Sequence, residues 1–534
     1  MRISSRIAPA RRGADIHAMN EEVFPPARPR LGWPEALIIV ATVLELAVAL
    51  FSDHFPYTDP TNHLARYTLI SRIWFGDPPG YVVFHWIPTS YIAGDVVGAL
   101  FVHVIGAIAT LRIINAVTLI LLPLGMYGLL WYAAPAQRGW ALLGVLFGFA
   151  SHFLFGYLNY ALGFALAFCW LALWYPRRAH ASLRARLLLG FGMIVLFLVH
   201  LSAPLIVLVV IWTDWGVSVI GEDRLLPPRE WKIFNSRLGT VSIMLAAVAL
   251  VWATASYSTW NVVGPPGEYV IRSIGNKLVA FTSPFYSVSL AAAVIMSVGY
   301  TASFVAMLYA RRGALKIDSL TASAVVMFVL YLLFPKAIPG AGAVDIRWLA
   351  AGYLLLFCAR QRGPELEPRK LLLIPFAACV LHTAWIGYTA SRIDRDLDQY
   401  DVALSHVPPR TNLLPLGDGV KMYGRVQVMR HFVLWHVIRS HGRAPGLFNF
   451  RDSDYQDPLN HHLAHFVEPD HLYLANAGWG LPDTMPGLPW TRIDEQYDYI
   501  LQTSGDGRVQ AYLQKHADEV WHDDPFVLYK VRKQ

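Results

Sequence analysis

The chain has 534 residues, of which 55% are hydrophobic and 15% charged, with a mean hydropathy of +0.40 and a formal net charge of +7 at pH 7. Soluble domains carry about a quarter charged residues, so an all-soluble globular chain is excluded. The charge divides unevenly: residues 1–390 hold 29 Lys/Arg against 18 Asp/Glu, and residues 391–534 hold 15 against 19. No concentrated basic face of a nucleic-acid binder follows from that distribution, and no nucleic-acid partner is expected.

Residues 1–32 read as a disordered cytoplasmic tail, basic and proline-rich, with six Arg in the first 30. The long basic stretch and the PPARPR that precedes the first apolar run argue against a cleaved signal peptide. Apolar runs then follow at 33–51, 91–110, 113–134, 238–256, 286–309, 319–334, 346–358 and 371–389, with longer stretches at 139–175 and 187–220. Spanning a bilayer takes roughly 20 apolar residues as helix, which predicts about 11 to 13 crossings. The sequence therefore predicts a mainly α, polytopic membrane domain over 33–390, with external loops at 52–90, 257–285 and 335–345.

The basic loops give the orientation. PRRAHASLRAR (176–186) has four Arg and no acid, and YARRGALK (309–316) has three bases. Short Lys/Arg-rich loops stay in the cytoplasm, so the opposite loops and the C-terminal region face outward. One conflict arises: if 112–134 and two helices in 139–175 all cross separately, PRRAHASLRAR lands on the wrong side. The Arg cluster is the firmer guide.

Glu45 lies well inside the first apolar run, and an acid at membrane depth is a functional candidate or a helix-packing group. Just beyond that run come Asp53 and then PYTDPTNHLARYTLISRIWFGD (56–77), where Asp59 opens an amphipathic segment. Asp59-Pro60 also reads as a helix N-cap followed by proline at the first helical position. In 264–286, Tyr269, Ile274, Leu278 and Phe281 fall near helical spacing with Arg272 and Lys277 opposite, the pattern of a helix lying at a membrane surface. The loop FPKAIPGAGAVDIRW (334–348) is flanked by Lys336 and Arg347, with Asp345 beside the latter. Cys169, Cys358 and Cys379 all lie in apolar runs, so the external part carries no disulfide framework.

From Ser391 the composition becomes soluble, enough for one small α/β domain over 391–534. YDYILQ (497–502) and FVLYKV (526–531) read as strands with a helix VQAYLQKHADEVW (509–521) between them, and HFVLWHVIRSHG (431–442) as a helix ended by Gly442. HHLAH (461–465) after Asp457 lacks a third defined ligand and reads as a surface histidine cluster, so no metal site and no cofactor are assigned.

TDPTNHLARYTLISRIWFGDPP resembles the first external loop of the glycosyltransferase C superfamily, which includes the protein O-mannosyltransferases and the aminoarabinose transferases of lipid A. Asp59 falls on the catalytic acid of that loop and Gly76-Asp77 on its closing pair. Pro60 replaces a second acid, and His63 stands near the usual aromatic. HWIPTSYIAGDVVGALF (85–101), LRIINAV (111–117), FLFGYLNYALG (153–163), LVHLSAP (198–204) and AVDIRWLAAGYLLL (343–356) continue the resemblance in order. Within them Asn159 stands where many relatives have Asp, His200 where some have Lys, and Arg347 matches.

The resemblance implies an inverting transferase in a bacterial inner membrane, taking sugar from a polyprenyl-phosphate donor to an envelope acceptor. Asp59 would be the catalytic base, with Asp53 and Glu45 as secondary candidates. His63, Asn159, His200, Lys336, Asp345 and Arg347 would bind substrate, and membrane lipids would surround the helices. Such chemistry needs a carboxylate for the acceptor proton and positive charge on the departing phosphate. The alternatives are a multi-pass transporter or lipid flippase, against which no internal repeat of the membrane domain is found, and a non-catalytic relative.

Overall fold

The computed structural model describes residues 32–52, 54–79, 83–84, 90–178, 182–220, 270–310, 318–336, 343–359, 369–416, 423–429, 431–444, 455–456, 497–502 and 507–533. The protein is a polytopic helical membrane protein with a small C-terminal sheet. Among the described residues five helices are long and apolar enough to cross a bilayer: Trp33–Phe51, Ala107–Ala133, Leu158–Arg177, Leu290–Ala310 and Leu373–Ser405. Shorter apolar helices cover Ile92–Ile105, Ser202–Val217, Ser319–Leu333 and Arg347–Phe357. The run at 238–256 lies outside the described residues.

Helix α1 (Trp33–Phe51) starts at Pro34 and buries Leu37, Ala41, Glu45 and Ala49 while exposing Ile39, Val40, Val43 and Leu44. That spacing seats one face in the bundle and offers the other to lipid. At its first turn Glu35 accepts from Arg138 Nε at 2.6 Å and from Tyr127 Oη at 2.8 Å, which marks one end of the bundle. Helix α2 (Pro60–Phe75) lies at the other end and stops at Gly76, whose φ of +97° supplies the left-handed cap. Helix α3 (Ile92–Ile105) packs along α2. Stacking of Phe75 on His103 (ring centroids 3.6 Å apart) and the buried ion pair Arg66–Asp95 join the two.

At about 1.5 Å per residue, helix α3 is too short for a ~30 Å hydrocarbon core. Its beginning bonds the backbone of Leu198 through Tyr91, and its end lies by Trp435, Ile438 and Arg439, so both ends stay at the α2 end. Helix α4 (Ala107–Ala133) then runs the full length, from Asn115 hydrogen-bonded to Tyr57 down to Tyr127 at Glu35.

The buried, broken segment 135–157, with helices α5 (Leu142–Leu146) and α6 (Ser151–Leu154), returns to the α2 end. There the amide of Thr58 donates to the carbonyl of Leu154 at 3.3 Å. Helix α7 (Leu158–Trp174) goes back, packed on α4 through Gly125 and Gly128, which let the backbones approach. The stretch 139–175 thus doubles back on itself, and Arg178 pairs with Asp214 at 3.8 Å at the end opposite α2. In the run 91–110, helix α3 is shorter than the five candidate spans.

Helices α8 (Leu183–Val199) and α9 (Ser202–Ile220) turn at His200. The short helix α10 (Ile274–Ala280) exposes Ile274, Leu278 and Val279. It is followed by α11 (Leu290–Ala310), α12 (Ser319–Leu333) and α13 (Arg347–Phe357). Helix α14 (Leu373–Ser405) continues without a break from the bundle into the C-terminal part. Asp394 on it accepts from Ser52 Oγ at 3.2 Å and from the amide of His54 at 3.1 Å, tying it to the exit of α1.

Strands β1 (Leu413–Leu416), β2 (Tyr499–Gln502), β3 (Ala517–Asp523) and β4 (Phe526–Val531) form the C-terminal sheet in the order β1-β2-β4-β3, with β1 parallel to β2 and the pairs β2–β4 and β3–β4 antiparallel. Leu413, Leu501, Phe526 and Leu528 on one face join α14 and α2 in a shared apolar core; Leu414, Ile500, Val527 and Tyr529 on the other pack with Leu513 of helix α16 (Gly507–His516). Between β1 and β2 in sequence lies helix α15 (Trp435–Ser440).

Two local expectations change. The predicted helix 509–521 ends at His516, because residues 517–523 form β3 (Ala517–Asp523) against β4 (Phe526–Val531). Pairing of Trp521 with Leu528 and of His522 with Val527 in a two-residue hairpin, past a bulge at Val520, outweighs the helical pattern. The helix near 431–442 ends at His441, which takes φ of +54°, whereas Gly442 lies against the His436 ring, where a Cβ would collide.

Candidate active site

Asp59 occupies the position before α2, yet its side chain makes no capping bond. The amides of Asn62 and His63 go instead to its main-chain carbonyl, at 3.0 and 3.3 Å. The carboxylate turns to His431 Nε2, 3.4 Å away, and the other ring nitrogen of His431 lies 3.5 Å from Asn62 Nδ2. Asp59 is 9% exposed and His431 4%. The backbone before Asp59 passes over Gly156, whose φ is +77° and where a Cβ would sit 2.7 Å from the amide nitrogen of Asp59. Only glycine fits that crossing.

His63 lies one turn along α2 and is also buried. Burial and the Arg66 guanidinium push its imidazole down to about 4, against a smaller upward pull from Asp59, so the ring is neutral at physiological pH. Arg66 is held by Asp95, so its charge is already matched.

At the turn after α8, His200 is sandwiched edge-on by Tyr91 (5.1 Å) and Tyr160 (5.3 Å). The Ser202 amide donates to His200 Nδ1 at 3.0 Å, which leaves the proton of the neutral ring on Nε2. That nitrogen stands 3.1 Å from Arg347 Nη1, itself only a donor. Arg347 lies over Tyr157 and Tyr160, and Tyr160 Oη donates to its main-chain carbonyl at 2.8 Å. Asn159, between these tyrosines, is 5% exposed and its amide packs where a Cβ of Gly94 would be.

Asp59, His63, Asn159, His200 and Arg347 therefore gather at the α2 end of the bundle. The others lie apart. Asp345 is fully buried and accepts from Arg272 Nε (2.8 Å) and Lys277 Nζ (3.3 Å), so it is not the partner of Arg347. Lys277 also donates to the carbonyls of Tyr331 and Phe334, both at 2.6 Å, which fixes the base of the loop. Lys336 is exposed, and its side chain contacts no partner among the described residues. Glu45 is buried against the backbone of Phe149 and Gly148, and no ion pair joins it to the Asp59 cluster among the described residues. Asp53 and the HHLAH segment lie outside the described residues. No group of three metal-ligating side chains occurs among the described residues.

Sequence reasoning missed His431 and the Arg66–Asp95 pair. Asp95 carried a signal, an acid within an apolar run. His431 carried none, since nothing local marks a histidine that meets its partner across the chain.

No family model and no curated sequence matches the chain. Solved structures do. The fold is similar to ArnT from Cupriavidus metallidurans in the apo state, at 14% identity and a TM-score of 0.52, over 93% of this chain and 97% of that one. Against ArnT bound to undecaprenyl phosphate the identity is 14% and the TM-score 0.53, over 94% and 98%. Arabinofuranosyltransferase AftD from Mycobacteria is similar at 13% identity and a TM-score of 0.53, over 95% of this chain but only 40% of that longer one. The likeness to these structures is one of fold, over 93–95% of this chain.

Proposed function

We propose that this chain is an inverting glycosyltransferase of a bacterial inner membrane, working on the outer side with a polyprenyl-phosphate-linked sugar. The observation that carries the reading is the meeting of two donors, His200 Nε2–H and Arg347 Nη1–H, at 3.1 Å. Two donors so close repel unless they share an acceptor beside them, and an anionic phosphate oxygen fills that role. Arg347 adds charge where negative charge develops on the leaving phosphate. Asn159 and neutral His63 are buried at the same end of the bundle as this pair and Asp59.

In the reaction the acceptor hydroxyl oxygen forms a bond to the anomeric carbon. The bond from that carbon to the phosphate oxygen breaks, its electron pair leaving with polyprenyl phosphate. Asp59 takes the hydroxyl proton. Lys336 and Asp345 would act at the rim, Lys336 in contact with donor and Asp345 by holding the loop. The envelope acceptor enters from the side covered by the C-terminal part.

The test offers the purified full-length protein in liposomes a panel of undecaprenyl-phosphate-linked radiolabelled hexoses and pentoses, with envelope extracts as acceptor. Label in the acceptor fraction, with release of undecaprenyl phosphate, is the expected result. A folded protein that transfers none of the panel and does not bind undecaprenyl phosphate refutes the reading.

A further inference from the structure

The resemblance that places the base at Asp59 leaves it without the neighbouring acid, because Pro60 occupies that position. A carboxylate with no partner can rotate, and a general base held loosely loses rate steeply. The protein supplies a partner from the far end of its sequence. We infer that His431, from the C-terminal part, is the positioning residue of the Asp59 carboxylate; the inference rests on the reading of Asp59 as the base.

His431 immediately precedes the helical turn Phe432–Leu434. Phe432, Leu434 and Trp435 are buried in the same apolar core as Leu64, Ala65 and Tyr67 of α2, so the imidazole is fixed to the helix that bears Asp59. Tyr400 of α14 backs Phe432 at 5.0 Å between ring centroids. On the other edge of the imidazole, Asn62 Nδ2 approaches Nδ1 at 3.5 Å. An amide donor there leaves Nδ1 as acceptor and puts the ring proton on Nε2, 3.4 Å from Asp59 Oδ1. This is an ion-pair distance and not a formed hydrogen bond, and catalytic contacts of this kind tighten when substrate is bound. Once it closes, one carboxylate oxygen is held by an N–H donor and the other is left to take the acceptor proton.

The external part of the chain is therefore a component of the reaction centre. His431 touches the base and not the donor, so its loss acts on turnover. Replacement by Phe keeps the ring volume and removes the N–H; replacement by Gln returns a donor near the position of Nε2.

The full-length protein in liposomes is assayed with whichever donor of the panel it uses. His431→Phe is expected to lower kcat by ~30-fold or more, with KM for the donor within ~3-fold, since a base held in place is worth roughly 10²-fold. His431→Gln should recover at least ~5-fold of that loss. In the Asp59→Asn background, His431→Phe should cost nothing further, because residues acting as one unit are not additive.

Three results overturn the inference: His431→Phe with normal turnover, equal loss for Phe and Gln, or losses of Asp59→Asn and His431→Phe that multiply. The last two indicate packing only. Full activity of Asp59→Asn is a separate outcome and removes the reading of Asp59 as the base. Undecaprenyl phosphate binding by each variant, expected to match the parent, shows that the fold has survived.

Discussion

Asp59 reads in the sequence as a helix cap, and it is the base of the proposed reaction; in the structure its main chain and its side chain have different partners. Its main chain receives the first amides of α2 while its side chain is turned to His431. Asp59→Asn should therefore leave folding near that of the parent and lower turnover by ~100-fold, read from initial transfer rates alongside thermal unfolding. Arg347→Ala should weaken undecaprenyl phosphate binding more than Lys336→Ala, because Arg347 meets His200 and Lys336 is exposed. Arg347→Lys should restore only part of it, since an ammonium lacks the guanidinium fork. Equal effects of the two alanine variants would move the phosphate site to the loop. At His63, the folded pKa of about 4 lies below the ordinary 6.5. The unfolded chain binds the extra proton between those values, so this residue's stabilisation is complete above pH ~6.5 and is lost as pH falls toward 4. Thermal unfolding of His63→Asn between pH 4 and 7 should show a shallower decline than that of the parent.

Among the elements, those made by long apolar runs were readable, and those made by contact between distant segments were not. Helix α1 and helix α4 follow directly from their composition. Helix α3 has the same apolar character, and only its pairing with α2 shows that it stays at one end. The strand at 517–523 was hidden for the same reason, as its partner strand decides it. Of the site, Asp59 and Arg347 were visible through motif order. His431 was not, because the pairing spans sequence positions that no local pattern connects. Glycine 156 is the point where elements meet: the turn before α7 crosses the backbone of Asp59 there, with φ of +77°. Gly156→Ala should lower stability by ~1–2 kcal/mol through the left-handed conformation alone. It should also displace Asp59 and lower turnover by up to ~100-fold, as misplacements near 1 Å do. Normal rates in this variant would show that the crossing does not set the position of the base.

Over the whole molecule, the described part of one basic loop can be set against the position of the C-terminal part. The Arg178–Asp214 pair lies at the end opposite α2, while the C-terminal part lies against α2 and α14. A cysteine at Ser405, exposed at the end of α14, should react with an impermeant thiol reagent added from outside the inner membrane. Reaction only from the cytoplasmic side would reverse the orientation and with it the side on which Asp59 works. The same long-range contact also has a consequence for biosynthesis. Asn62 and His431 are 369 positions apart, and Asp59 lies just before Asn62. At about 5–20 residues per second, a ribosome needs on the order of 20–70 s to go from one to the other. In the proposed orientation, the nascent protein during that interval already has its acid outside the membrane, without the histidine that meets it. Such a chain is expected to stay inert until its last quarter has been translated and has docked, so that unfinished copies cannot act on the envelope.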